Sequence, residues 1–348
     1  MTRTPRLLAC MLAVALVPAG CGHDEAAVVR VLERHGGGPR HQVQATTADG
    51  RELFALRIDS DVLTILRSVH LGDATEESHL VITGIGPGED QRCVRAFDAT
   101  GGLRWRHRPA RQPPADLRAG PGAAPFPHTL LAPSPDAPTF FSFGGRSFMA
   151  IATTGLWGPY SIEILELQAT GGPSVRCRIW HPGNLRTPVV SADAGRMAFW
   201  AVNNQFRSAM GLPNDAYPYA VAVLRLDHAL GVAREGETAV RFAPRLQRNG
   251  DSDSGAAGGL ERYFVLPETW GPGHNPEIAL ELDDGLVRAH FPVGLTYVLD
   301  PAGGGVEVAA STEFARDHAA RCETDPSLPA LASLLDTKAH RVIVLPDR

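Results

Sequence analysis

Along most of the chain, short runs of alternating apolar and polar residues are separated by turns rich in Gly and Pro, and this period of two predicts strands. The 36 Gly and 28 Pro of the 348 residues fall mainly between those runs, as punctuation between many short strands. One unit reads in order as Thr139 to Phe143, Ser147 to Thr153, Ser161 to Leu167 and Ser174 to Trp180, with Gly144-Gly145, Gly155, Gly158-Pro159 and Gly171-Gly172-Pro173 at its turns. A second takes Val62 to Val69, His79 to Gly84, Arg92 to Phe97 and Leu103 to His107. Helical spacing is confined to the ends. Asp24 to His35 predicts a short helix stopped by Gly36, Gly37 and Gly38; Thr312 is placed to cap a helix from Glu313 to Cys322; and Ser327 is placed to cap one carrying Leu328, Leu331, Ala332 and Leu335.

A local pattern recurs, in which an alternating strand ends on a polar residue before a turn. It appears as Ala96-Phe97-Asp98-Ala99-Thr100-Gly101-Gly102, as Leu165-Glu166-Leu167-Gln168-Ala169-Thr170-Gly171-Gly172, as Leu224-Arg225-Leu226-Asp227 and as Val298-Leu299-Asp300-Pro301-Ala302-Gly303, with a weaker copy at Leu56-Arg57-Ile58-Asp59. Hairpins repeating in this way point to an all-β fold, an irregular β-propeller of about five blades with short N- and C-terminal helices. A pair of β-sandwiches is the runner-up. The repeat is wider than that of regular propellers, so long loops are expected at 109–138, rich in Pro and Ala, and at 248–259, a polar Gly, Ser and Asp run. The apolar strand Arg341 to Leu345 has no hairpin partner nearby, which predicts ring closure by pairing with the N-terminal third, within Glu52 to Leu66.

The stretch Ala96-Phe97-Asp98-Ala99-Thr100-Gly101-Gly102-Leu103-Arg104-Trp105 resembles the blade motif of PQQ-like propeller repeats. Asp98 would bond turn amides, the Gly pair would permit positive φ, and Trp105 would pack between blades. The other copies lack a Trp at that place. A quinone-dependent dehydrogenase is the enzyme this resemblance would suggest, but the chain has neither adjacent cysteines nor an obvious calcium-binding cluster to hold that cofactor. Gly72 to Ile82 and Ser191 to Trp200 are similar to FG-GAP repeats, whose Asp-rich loops hold calcium. Here Asp73, Glu76, Glu77 and the solitary Asp193 supply too few oxygens for a six- to eight-coordinate ion, and Asp251-Ser252-Asp253 lacks a later bidentate acid. No cofactor is therefore expected, with calcium as the alternative. Ser191-x-Asp193-x-Gly195 also resembles the Asp-box turn of sialidases, a structural element in that family.

The first residues carry a different signal. Arg3 and Arg6 precede an apolar run from Leu7 to Val17, the anatomy of an export signal and about half the length of a membrane span. Val17-Pro18-Ala19-Gly20-Cys21 resembles the lipobox of bacterial lipoproteins, which implies lipid on Cys21, although Pro18 replaces the usual leucine. Ordinary cleavage near Ala19 or Gly20 is the rival. The expected organisation is a signal peptide over 1–20, a tether with a short helix over 21–50 and the propeller-like domain over 51–348, on the periplasmic or cell-surface face of a membrane.

Loss of Arg3 and Arg6 leaves 31 basic against 38 acidic residues, a balance that argues against nucleic acid as partner. Cys93, Cys177 and Cys322 allow at most one disulfide, and Cys93 and Cys177 read as small buried strand residues. No G-x-S-x-G elbow, H-E-x-x-H helix or phosphate-cradling Gly loop occurs. The candidate binding residues are Trp180, His181, Asn184, Asn203, Asn204, Tyr217 and Tyr219, which fall at strand ends and in the loops after them, as expected of one rim. Asn amides suit sugars or peptide backbones. The expectation is a non-catalytic binding or scaffold protein at the cell envelope, facing an envelope protein or glycan; the alternative is an extracellular glycan-active hydrolase or lyase.

Overall fold

The computed structural model describes residues 28–33, 41–47, 49–58, 62–70, 78–85, 93–97, 101–110, 132–133, 138–154, 160–168, 171–181, 184–186, 188–202, 219–231, 239–242, 245–246, 252–253, 260–266, 278–291, 294–326, 328, 330–336 and 341–344. Among them the chain forms five sheets of three or more strands in sequence order. Sheet 1 holds β1 (Val28–Glu33), β2 (His41–Thr46) and β3 (Glu52–Ile58). Sheet 2 is a meander of β4 (Val62–His70), β5 (Ser78–Ile85), β6 (Val94–Phe97) and β7 (Leu103–His107). Sheet 3 runs through β9 (Thr139–Phe143), β10 (Arg146–Thr154), β11 (Tyr160–Leu167) and β12 (Ser174–His181), with β8 (Ala132–Pro133) beside β10. Sheet 4 begins with β13 (Asn184–Leu185), β14 (Val189–Ser191), β15 (Arg196–Val202) and β16 (Tyr219–Arg225), and gains β20 (Leu260–Leu266). Sheet 5 is a meander of β21 (Ala279–Asp283), β22 (Leu286–His290), β23 (Leu295–Leu299) and β24 (Val306–Ala310). Both units read from the alternation pattern are therefore present, as sheets 2 and 3.

Successive sheets pack face to face, and the alternation along each strand decides which neighbour it meets. Val94, Ala96 and Trp105 of sheet 2 pack against Met149, Ile151, Leu165 and Leu167 of sheet 3. The other side of sheet 3, with Phe148, Ala150, Ile162, Ile164 and Ile179, meets Met197, Phe199, Ala220, Ala222 and Leu224 of sheet 4. Ala198, Trp200, Val221, Val223 and Phe264 on the far side of sheet 4 then meet Val287, Ala289, Leu295, Tyr297 and Leu299 of sheet 5. Sheets 3 and 4 are covered on both faces, so their central strands read as unbroken apolar runs such as Phe148 to Ala152 and Met197 to Ala201. At the turn before β7, a Cβ on Gly101 would lie 2.8 Å from the Phe54 ring, which brings sheet 1 against sheet 2. Antiparallel meanders stacked in chain order make this an all-β, propeller-like fold.

Two sheets receive an additional outer strand from elsewhere. β17 (Ala239–Phe242), which lies between β16 and β20, joins the edge of sheet 3 parallel to β12, with Cys177 opposite Ala239 and Trp180 opposite Phe242. A two-stranded ribbon of β18 (Arg245–Leu246) and β19 (Ser252–Asp253) follows. β25 (Arg341–Val344) joins the edge of sheet 4 antiparallel to β20, with Arg341 opposite Val265 and Val344 opposite Arg262. Each added strand comes from the segment downstream and covers backbone groups at an otherwise open edge.

Four sequence expectations are corrected. The C-terminal strand pairs with β20, not within Glu52 to Leu66. Helices α2 (Thr312–Thr324) and α3 (Leu331–Leu334) set Phe314, Leu331 and Leu335 against the core between sheets 4 and 5, which delivers the chain end to sheet 4. The N-terminal helix expected over Asp24 to His35 is instead β1, because Val28, Val29 and Val31 are β-branched and find a partner in β2, from Val28 opposite Thr46 to Glu33 opposite His41. Leu224-Arg225-Leu226-Asp227 runs from β16 into the short helix α1 (Leu226–Gly231), whose Leu226, Ala229 and Leu230 join the core between sheets 3 and 4. The cap of α2 is Ser311, one residue before the expected Thr312, and its hydroxyl accepts from the Phe314 N–H at 3.1 Å.

Candidate binding rims

The turns between β9 and β10, between β14 and β15, and between β21 and β22 lie at one rim. The ring of Phe143, before the Gly144-Gly145 turn, is 3.8 Å from where a Cβ on Gly195 would stand. The Arg196 guanidinium comes within 3.2 Å of a Cβ built on Gly285, in the turn between β21 and β22. The middle turn, Ala192 to Gly195, is the Asp-box-like segment. Ser191 Oγ accepts from the Ala194 N–H, the Gly195 N–H bonds the Ala192 carbonyl, and Gly195 takes φ +61°, which favours glycine. The Gly195 carbonyl then accepts from the Leu226 N–H at 2.8 Å, tying the turn to the end of β16.

Where sheets 3 and 4 meet lies a cleft of about 320 Å³ lined by Phe143, Ala192, Asp193, Ala194, Gly195, Arg196, Arg225 and Asp227. Its formal charges balance. Arg225 grips Asp227 through two hydrogen bonds, of 2.6 and 3.2 Å, while Asp193 is exposed and makes no ion pair among the described residues. The cleft therefore offers an aromatic wall, a small-residue floor and an accessible carboxylate. The motif at 191–195 was visible in the sequence; Phe143, Arg225 and Asp227 were not, because they reach the site from other elements.

The described members of the predicted cluster belong to the opposite rim. Asn184 of β13 lies opposite Val202 of β15, and Val202 lies opposite Tyr219 of β16, so Asn184 and Tyr219 flank one position of a neighbouring strand. Trp180 and His181 close β12, immediately before β13. The register thus brings the backbones of Trp180, His181, Asn184 and Tyr219 to one end of sheets 3 and 4. Asn203, Asn204 and Tyr217 lie outside the described residues.

Between the rims is a buried acidic node that sequence reading missed. Glu163 on β11 is fully buried, and its carboxylate receives His107 Nε2 and Arg178 Nε at 2.6 Å each and the Ala110 N–H at 2.8 Å. Arg178 stands directly opposite on β12, whereas His107 and Ala110 come from the end of sheet 2. Burial alone pushes the Glu163 carboxyl up. The His107 hydrogen bond and charge, the Arg178 charge and the Ala110 N–H together outweigh it and hold the group below the ordinary carboxylate range. Such a carboxylate is an ionised anchor, unsuited to donating a proton near neutrality.

Among the described residues no group of three or more His, Cys, Asp or Glu is placed to hold a metal ion. Asp73, Glu76, Glu77 and Asp251 lie outside them, as do Asp98 and Cys21. Cys93 and Cys177 are fully buried, and neither they nor Cys322 form a disulfide. Trp105 is buried between sheets 2 and 3, where the PQQ-like resemblance put it.

No protein-family model matches the chain, and no curated sequence does. Solved β-propeller structures do resemble it. Sqt1 of Saccharomyces cerevisiae matches with a TM-score of 0.41 at 10% identity, over 79% of this chain and 57% of that one. BamB from Moraxella catarrhalis matches with a TM-score of 0.32 at 13% identity, over 83% and 72%. The Nup133 β-propeller domain of Vanderwaltozyma polyspora gives 0.34 at 11% identity, over 92% and 76%. The chain thus spans less than two thirds of Sqt1, and the fold assignment rests on the sheets and cores described above.

Proposed function

We propose that this chain is a binding or scaffold protein of the cell envelope, without chemistry of its own, exported by its N-terminal segment and held at a membrane face by lipid on Cys21. The observation that supports it best is the cleft built by the turns of adjacent sheets, because rim loops on a rigid sheet stack are where such folds present ligands. The opposite rim, where the backbones of Trp180, His181, Asn184 and Tyr219 lie, is the second proposed contact surface. The partner is an envelope protein or a glycan; an excess of acid, net charge −5, disfavours nucleic acid. The test is recovery of partners from envelope extracts on the lipid-anchored protein, with Phe143→Ala and Asp193→Arg in parallel. A partner held by the wild type and retained about tenfold less by both variants supports the cleft as the site; equal retention by all three removes it.

A glycan-active hydrolase or lyase is the second reading, favoured because Asp193 and Asp227 line one cleft. The ion pair of Asp227 with Arg225 counts against it, since hydrolysis needs one carboxyl group able to give up a proton. Release of new reducing ends from envelope glycans, lost in Asp193→Asn, would establish it over the binding reading.

A further inference from the structure

Sheets 3 and 4 each accept an additional strand at the outer edge of the meander, and sheet 5 receives none among the described residues. Its last strand, β24, has the geometry to take one. The Asp300 N–H bonds the Gly305 carbonyl and the Ser311 N–H bonds the Gly294 carbonyl, which fixes the ladder with β23. In that register Glu307 and Ala309 exchange hydrogen bonds with β23, while the N–H and C=O groups of Val306, Val308 and Ala310 point outward and meet no strand among the described residues. α2 leaves at Thr312 and does not run along β24; its Phe314 packs into the core between sheets 4 and 5. Val306, Val308 and Ala310 lean on that core, and Glu307 and Ala309 are exposed on the other side.

The two internal added strands show what this fold takes at such an edge. They are four-residue segments, Ala239-Val240-Arg241-Phe242 and Arg341-Val342-Ile343-Val344, and both place an Arg next to a Val. On β24 the same alternation would set a β-branched side chain beside Val308 and a basic one beside the Glu307 carboxylate. We propose that β24 is a strand-docking edge for an extended segment of a partner protein that carries Arg next to Val, held by the outward backbone groups of Val306, Val308 and Ala310 and by Glu307. Main-chain bonds supply the affinity, and Glu307 supplies the preference for a basic residue.

The probe is a fluorescein-labelled peptide, His-Arg-Val-Ile-Val-Leu, binding the full chain by anisotropy. Val308→Pro removes an outward N–H and leaves the β23 ladder whole, so binding should weaken about tenfold in a variant whose cooperative thermal transition shows that it still folds. Glu307→Lys lies at an exposed position and does not depend on proline tolerance; it should weaken the Arg peptide and favour a Glu-substituted one. Equal binding by wild type and both variants would place the peptide elsewhere, including the β20 edge, and overturn the proposal, as would no binding at all. Dimerisation of the wild type that disappears in Val308→Pro would overturn it in favour of a second copy of this chain.

Discussion

His107 at the end of sheet 2 and Glu163 in the middle of sheet 3 meet at 2.6 Å, so one fully buried carboxylate joins two successive sheets. Removing the carboxylate leaves the partly buried His107 and Arg178 without their shared acceptor. Glu163→Ala should cost about 3 kcal/mol of stability, read by urea denaturation. A cost within the scatter of surface substitutions would mean that water replaces the carboxylate freely.

The same node sets an acid limit. The Glu163 carboxyl titrates below the ordinary carboxylate range in the folded protein, so in acid the unfolded chain takes up its proton first. Its stabilisation is complete above the unfolded carboxylate pKa and is lost as pH falls through the lower folded value. Denaturation midpoints of wild type and Glu163→Gln should therefore converge on acidification below about pH 4 and differ above it. A constant difference across that range would contradict the assignment.

Gly294 and Ser311 form a second tight relationship. Gly294 has φ +97°, and a Cβ there would collide with the Ser311 hydroxyl that caps α2. Gly294→Ala should cost about 2 kcal/mol and Ser311→Ala about 1 kcal/mol. Ser311→Ala also removes the oxygen the new methyl would strike, so the double variant should cost less than the sum. Strict additivity in denaturation curves would show that the two positions act separately.

The C-terminal strand offers a test of edge protection. Ending the chain after His340 would uncover the β20 backbone from Arg262 to Val265. Concentration-dependent association is expected, visible by light scattering, because an uncovered edge recruits other strands. A truncated chain that stays monomeric would show that β25 contributes little.

The strands were legible where one rule governed them. Sheet 5 alternates cleanly, and the turn at Asp300 was readable because its carboxylate accepts the Ala302 and Gly303 N–H groups, as Asp does before a Gly turn. Glu163 was not legible: within Ile162-Glu163-Ile164 an acid reads as solvent-facing, and only burial of both faces of sheet 3 turns it inward. The destination of β25 was equally hidden, since sequence distance says nothing about which edge is open. The cleft was half visible, as the turn at 191–195 was a motif, whereas Phe143 and Asp227 reach it through the stacking of sheets.

The anchor is tested on the cysteine itself. Cys21→Ala should abolish incorporation of radiolabelled fatty acid and move the protein out of the membrane fraction. Unlabelled wild-type protein would remove the lipid.

The most direct measurement of the binding account is site-specific photocrosslinking in living cells, with a benzophenone side chain in place of Asp193 and, separately, of the exposed Leu103 on β7. Position 193 borders the cleft and position 103 does not. The account predicts one discrete adduct from position 193 and none from position 103. No adduct from position 193, or the same adducts from both, would contradict it.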